Sequence, residues 1–219
     1  MAEVMPINFP LPSENAVASY DYYDIAEGTG MKMFYLVSVH GDYILTENPI
    51  YAETVEYNTG ESALTTEFTK IMDVDYDLSS FNFPKTVKGT AVCSFSFFGC
   101  KRSGTAATTT KITVRVRKWD GVTETEIGNA TTGDLTTSGF VYKTTSLIIP
   151  LTETNFKIGD ILRVTVEGWG KEAAGYDSTL EIGIGQDPMN RDATRLKPST
   201  DDPVSTTVSK IWIPFKIDL

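Results

Sequence analysis

Apolar and polar residues alternate with a period of two along much of this chain. From Ile161 to Glu167, Leu162, Val164 and Val166 share one face, while Arg163, Thr165 and Glu167 share the other, as in a half-buried strand. Gly159-Asp160 just before it is a turn pair, because glycine reaches backbone angles closed to other residues and aspartate bonds its own backbone. In Lys111–Trp119, Ile112, Val114 and Val116 alternate with Lys111, Thr113, Arg115 and Arg117. In Thr179–Ile184 the apolar set is Leu180, Ile182 and Ile184. The last segment places Ile211, Ile213, Phe215, Ile217 and Leu219 on one face, so it must be paired and buried. Pro214 lacks an amide donor, which predicts an edge position or a bulge there.

Shorter signals fill in the rest. The apolar run Met31–Val39 should pair with Tyr43–Leu45 across Gly41-Asp42, and Thr90–Gly99 reads as a deeply buried strand. Ile50–Tyr57, Leu64–Met72, Phe140–Thr145 and Leu147–Leu151 read as further strands. The stretches 101–110, 120–139 and 186–203 read as loops, the second ending a hairpin. No segment has helical amphipathicity and no repeat has a fixed period. Eight to ten strands predict an all-β fold, an antiparallel, jelly-roll-like β-sandwich. We expect a single domain over residues 18–219, preceded by an extended Pro-rich N-terminal arm over 1–17. Within the arm Ile7, Phe9 and Leu11 alternate with Pro6, Pro10 and Pro12, so it should be extended and should lie on its own domain or on a neighbouring subunit.

Composition narrows the function. Of 219 residues, 41% are hydrophobic and 22% charged, enough to bury a core without disulfides or metals. A net charge of -10 argues against nucleic acid as a partner, since phosphate binding needs a surplus of Lys and Arg, and against anionic membranes. The first residues have no basic segment followed by an apolar run, so no secretory signal is expected. Cys93 and Cys100 are seven residues apart; on one strand they would face opposite ways about 23 Å apart, and free buried thiols are expected.

Chemical motifs are sparse. There is no Gly-x-Ser-x-Gly run, and His40 is the sole histidine, so triad catalysis has one available base. Clustered Cys and His for zinc and a complete phosphate loop are missing. Asp73, Asp75 and Asp77 put three carboxylates on one strand face or around one loop, but Leu78 and Pro84 stand where a calcium loop needs glycine and an acid. A pair of carboxylates across a groove could hydrolyse glycosides, and Glu167 and Glu181 on outward faces are the candidates. Trp119, Trp169 and Trp212, with Tyr142 and Tyr176, could instead offer flat rings to sugars or to another protein.

Four stretches carry a resemblance: Tyr20-Asp-Tyr-Tyr-Asp-Ile-Ala-Glu-Gly-Thr-Gly30, Phe156-Lys-Ile-Gly-Asp-Ile-Leu-Arg163, Gln186-Asp-Pro188 and Ile213-Pro-Phe-Lys-Ile-Asp-Leu219. They resemble segments of tailed-bacteriophage virion structural proteins of the capsid decoration or cement type. The resemblance implies a non-enzymatic protein that decorates or cements a capsid through subunit contacts, located in the virion and assembled in the host cytoplasm. Its partners would be the major capsid protein or other virion proteins. A homo-oligomer, a trimer first, would suit the symmetry of a shell. On this expectation there is no catalytic residue, cofactor or metal, and contacts fall on Ile7, Phe9, Leu11, Trp119, Trp169 and Trp212. The alternative is a carbohydrate- or receptor-binding β-sandwich module.

Overall fold

The computed structural model describes residues 29–175, 177–191 and 206–216. The expected arm, with Ile7, Phe9 and Leu11, and Tyr176 lie outside the described residues. The strands in chain order are β1 (Thr29–Val39), β2 (Asp42–Thr46), β3 (Glu56–Asn58), β4 (Ser62–Ala63), β5 (Thr69–Asp77), β6 (Lys85–Ser103) and β7 (Thr108–Trp119). They continue with β8 (Glu124–Thr131), β9 (Leu135–Thr137), β10 (Phe140–Phe156), β11 (Ile161–Glu172), β12 (Thr179–Gly185) and β13 (Lys210–Lys216). No helix occurs among the described residues. The fold is all-β, as the alternation predicts.

Strand pairing defines two layers. In one, β11 lies between β5 and β7, and β7 carries β8 and β9 on its far edge. In the other, β6 pairs with β10 on one side and is shared on the other side by β12 and β13. β13 continues to β1 and then β2, while β12 takes the short β3 and β4. All these pairs are antiparallel. One parallel bridge, Ile44 to Asp77 between β2 and β5, joins the layers into a continuous sheet. The inward residues of both layers form one core, with Val114, Val164 and Val166 from the first and Phe95, Phe97, Ile182 and Ile213 from the second. Burying these apolar faces against each other is the dominant force that holds the layers together.

The turns follow their residues. His40 (φ 52°) and Gly41 (φ 85°) both have positive φ, the two-residue geometry whose twist suits a hairpin. Before β11, the Asp160 carboxylate accepts from the Lys157 amide at 2.6 Å and the Asp160 amide donates to the Lys157 carbonyl at 3.1 Å. Lys118 Nζ adds an ion pair at 2.7 Å.

Several sequence expectations are corrected. Of the strand face and the loop open to Asp73, Asp75 and Asp77, the strand face is formed: they lie in the second half of β5, facing outward, with Val74 and Tyr76 in the core. The strand expected over 50–57 shrinks to Glu56–Asn58. In the stretch before it, Glu53 donates to the Ser38 carbonyl at 2.7 Å and the Ala52 carbonyl accepts from Arg191 at 2.6 Å. Residues 140–156 are one strand along β6, irregular only between Leu151 and Thr154. The stretch 120–139 does fold back as a hairpin, β8 pairing with β7, but 124–131 and 135–137 are strand and not a long exposed loop. Pro214 is in an interior strand with a register shift beside it, its ring packed against Gly89, so the bulge and not the edge accommodates the missing donor. Cys93 and Cys100 are both free, and Cys93 is buried, its thiol pushed up to about 12 by desolvation.

Candidate functional site

The outward face of β5, β11, β7 and β8 is a charged lattice set by strand register. Glu167 of β11 stands opposite Asp73 of β5 and Thr113 of β7, and it is only 3% exposed although it points away from the core. Arg115 Nε lies 3.0 Å from its Oε2, an ion pair outside hydrogen-bond geometry. Arg117 at 3.6 Å and Lys70 at 3.5 Å reach its Oε1, and the Trp169 indole N–H donates to Oε2 at 3.3 Å. The cations have further partners: Glu126 for Arg115 at 2.6 Å, Glu124 for Arg117 at 2.8 Å and Asp73 for Lys70 at 2.5 Å. The hydrogen bond that Lys70 donates to the Asp73 carboxylate raises the ammonium above its ordinary value.

Four residues back along β11, Arg163 grips Asp77 with two N–H donors at 2.7 and 2.8 Å and reaches Glu124 at 3.0 Å. This two-pronged bond holds the guanidinium well above its ordinary value. Thr165 donates to Asp75 at 2.5 Å. The three aspartates thus face Lys70 of their own strand and Thr165 and Arg163 of β11, and among the described residues no group of three or more His, Cys, Asp or Glu is placed to hold a metal ion.

The glycosidase pair does not come together. Glu181 is on β12, in the other layer, buried and bound by Arg102 Nε at 2.5 Å. The three tryptophans do not converge either. Trp119 lies beneath the Arg163 guanidinium at 5.3 Å, and Trp169 pairs in register with Lys111, eight residues away along β7. Trp212 is on the other layer beneath Lys210 at 4.9 Å, in register with Val92 and Met33. His40 is exposed, and no hydrogen bond or ion pair joins it to another described residue.

A concave feature lies elsewhere, at one end of the sandwich. A cleft of about 550 Å³ is lined by the start of β1, the 78–83 loop after β5, the start of β6 and the end of β13. Its apolar floor includes Phe34, Leu78, Phe81 and Phe215, with Phe81 and Phe215 edge-to-face at 6.1 Å. Its rim carries Lys32, Lys85, Lys216 and Glu47, and Lys32 is paired with Glu47 at 2.8 Å. Backbone bonds fix the 78–83 loop: Leu78 to Leu162, Phe81 to Asp160 and Gly159 to Phe81, each at 2.9 Å. Sequence reasoning missed this cleft, because it is assembled from four separate stretches and no local pattern marks it.

No protein-family model and no curated protein matches this sequence. Solved structures share the fold. An α-amino acid ester hydrolase superposes with a TM-score of 0.54 at 11% identity, over 84% of this chain and 36% of its own. An aminopeptidase from a marine sediment archaeon, Thaumarchaeota archaeon, does so with a TM-score of 0.51 at 9% identity, over 85% of this chain and 37% of its own. This chain therefore spans little more than a third of either protein. A chain of infectious bursal disease virus, Gx strain, gives a TM-score of 0.29 at 10% identity, too low to carry an argument. The hydrolase neighbours correct two expectations, that of a non-enzymatic protein decorating a phage capsid and that of a chain with no enzymatic role.

Proposed function

We propose that this chain is the β-sandwich module of a hydrolytic enzyme that cleaves ester or peptide bonds, standing beside the catalytic part and shaping its substrate site. The observation that carries the reading is the likeness of most of this chain to about a third of an ester hydrolase and of an aminopeptidase. The side-chain chemistry agrees with it. Among the described residues, Glu167 and Glu181 are buried in ion pairs, Cys93 is a neutral core thiol, and His40 stands apart at a turn. The bond-breaking group then lies outside the described residues.

The test is hydrolysis of amino-acid esters and aminoacyl anilides by the natively purified protein together with whatever remains bound to it. Hydrolysis should track the amount of this chain through successive columns, and His40→Ala should leave the rate unchanged. Complete separation of hydrolysis from the chain overturns the proposal.

A further inference from the structure

Two features of the cleft have no counterpart in the fold's own needs: a phenylalanine at its mouth that is exposed to solvent, and two lysines that no other described residue pairs. Phe83 at its mouth is 73% exposed, a large apolar surface for a side chain in water. Neither Lys85 nor Lys216 forms an ion pair with another described residue, although the protein carries ten more acidic than basic charges.

The chain itself supplies a complement. Residues 1–28 contain five acids, Glu3, Glu14, Asp21, Asp24 and Glu27, and no lysine or arginine. The part nearest to β1 in sequence, Tyr20-Asp-Tyr-Tyr-Asp-Ile-Ala-Glu27, combines three aromatic rings and an isoleucine with three of those acids. Gly30, at the start of β1, is itself part of the cleft wall. Tyr20 is ten residues from Gly30, so its reach is at most about 35 Å, and Glu27 is three residues away. A tether this short gives an effective concentration on the order of millimolar.

We propose that the segment Tyr20–Glu27 of the same chain docks in this cleft, its aromatic and aliphatic side chains against Phe81, Phe83 and Phe215 and its carboxylates against Lys85 and Lys216. The contact covers the exposed Phe83 ring and gives Lys85 and Lys216 carboxylate partners that no other described residue supplies. It is independent of the hydrolase reading, since it uses only the cleft and the sequence that leads into β1.

The test uses the full chain. Zero-length carbodiimide coupling should join Lys85 or Lys216 to Asp21, Asp24 or Glu27 within monomers, read by mass spectrometry. Hydrogen exchange in residues 78–85 should be about tenfold faster in the Asp21→Lys, Asp24→Lys variant, which corresponds to a segment at millimolar effective concentration and a dissociation constant near 0.1 mM. Adding Lys85→Glu and Lys216→Glu to that variant should restore the slow exchange, whereas either pair alone should not. Asp21→Asn with Asp24→Asn, which removes charge without adding any, should give an intermediate rate. Links found only between chains, links mapping away from the two lysines, or exchange unchanged across all variants would overturn the proposal, and the wild-type link map decides even where a variant unfolds. A small anion that protects 78–85 equally in wild type and the Lys-substituted variant would also overturn it, by showing the cleft open in both.

Discussion

Replacing Glu167 by Gln tests whether the charged lattice is a stabilising network or a coincidence of neighbours. The carboxylate is 4% exposed, with cations at 3.0, 3.5 and 3.6 Å. Removing one member of a fully buried pair costs about 3–5 kcal/mol, because the partner charge is left without compensation. Here the cations are themselves 17–37% exposed and keep Glu124, Glu126 and Asp73 as partners, so the cost should fall to about 2 kcal/mol. With a urea m-value of about 2.5 kcal/mol/M for a chain of this size, the unfolding midpoint should drop by about 0.8 M. Glutamine keeps an oxygen for the Trp169 indole, so the loss reports on charge and not on packing. In a double-mutant cycle, Arg115→Met should cost at least about 1 kcal/mol less in the Glu167→Gln background than in wild type. A midpoint shift below about 0.2 M together with additive double mutants would refute the reasoning.

Three further outcomes are expected. In the folded protein Cys93, buried and pushed up to about 12, should be inert to Ellman's reagent at pH 8 while the half-buried Cys100 reacts, so Cys100→Ser should abolish all labelling until denaturant is added. Tyr76 donates from the core to Gln186 Oε1 at 2.9 Å; Tyr76→Phe orphans that buried oxygen and should cost about 1–2 kcal/mol in urea unfolding, and a cost below about 0.5 kcal/mol would count against the bond. Burial pushes the Asp160 carboxyl up, but Lys118 and the Lys157 amide outweigh it and hold it below the usual range. A folded value below the unfolded one gives stability that is present above about pH 4 and lost as pH falls through the folded value, so Asp160→Asn should destabilise at pH 7 and the difference from wild type should shrink steadily as pH falls below about 4.

Strands whose alternation is uninterrupted, β7, β11 and β12, could be read from the sequence, because one face must be dry and the other wet. β5 carries the same alternation in Met72, Val74 and Tyr76. Its second half is harder to read, because three aspartates suit a loop as well as a strand face, and two of their partners, Arg163 and Thr165 of β11, lie about ninety residues away. The apolar stretch over 50–55 shows the reverse error, since local hydrophobicity does not reveal that its backbone groups are satisfied by Ser38 and Arg191. The candidate sites were the least legible part. Glu167 was singled out correctly as an outward-facing acid, but its burial comes from Arg115 and Arg117, fifty residues upstream, and only strand register brings them beside it.

Register also links the lattice to the cleft. Lys118, on the strand that supplies Arg115 and Arg117, holds the Asp160 carboxylate, and the Asp160 carbonyl accepts the Phe81 amide in the cleft wall. The Phe81 ring in turn packs on Phe156 and Phe215 at 5.1 and 6.1 Å, so the 78–83 loop is tied both to the turn before β11 and to the end of β13. A loop fixed at both its backbone and its side chain loses little further freedom when something settles against it, so the entropic cost of docking falls on the incoming segment. A short tether lowers that remaining cost, and the docking proposed for residues 20–27 draws on such a tether, since they lead in sequence into β1.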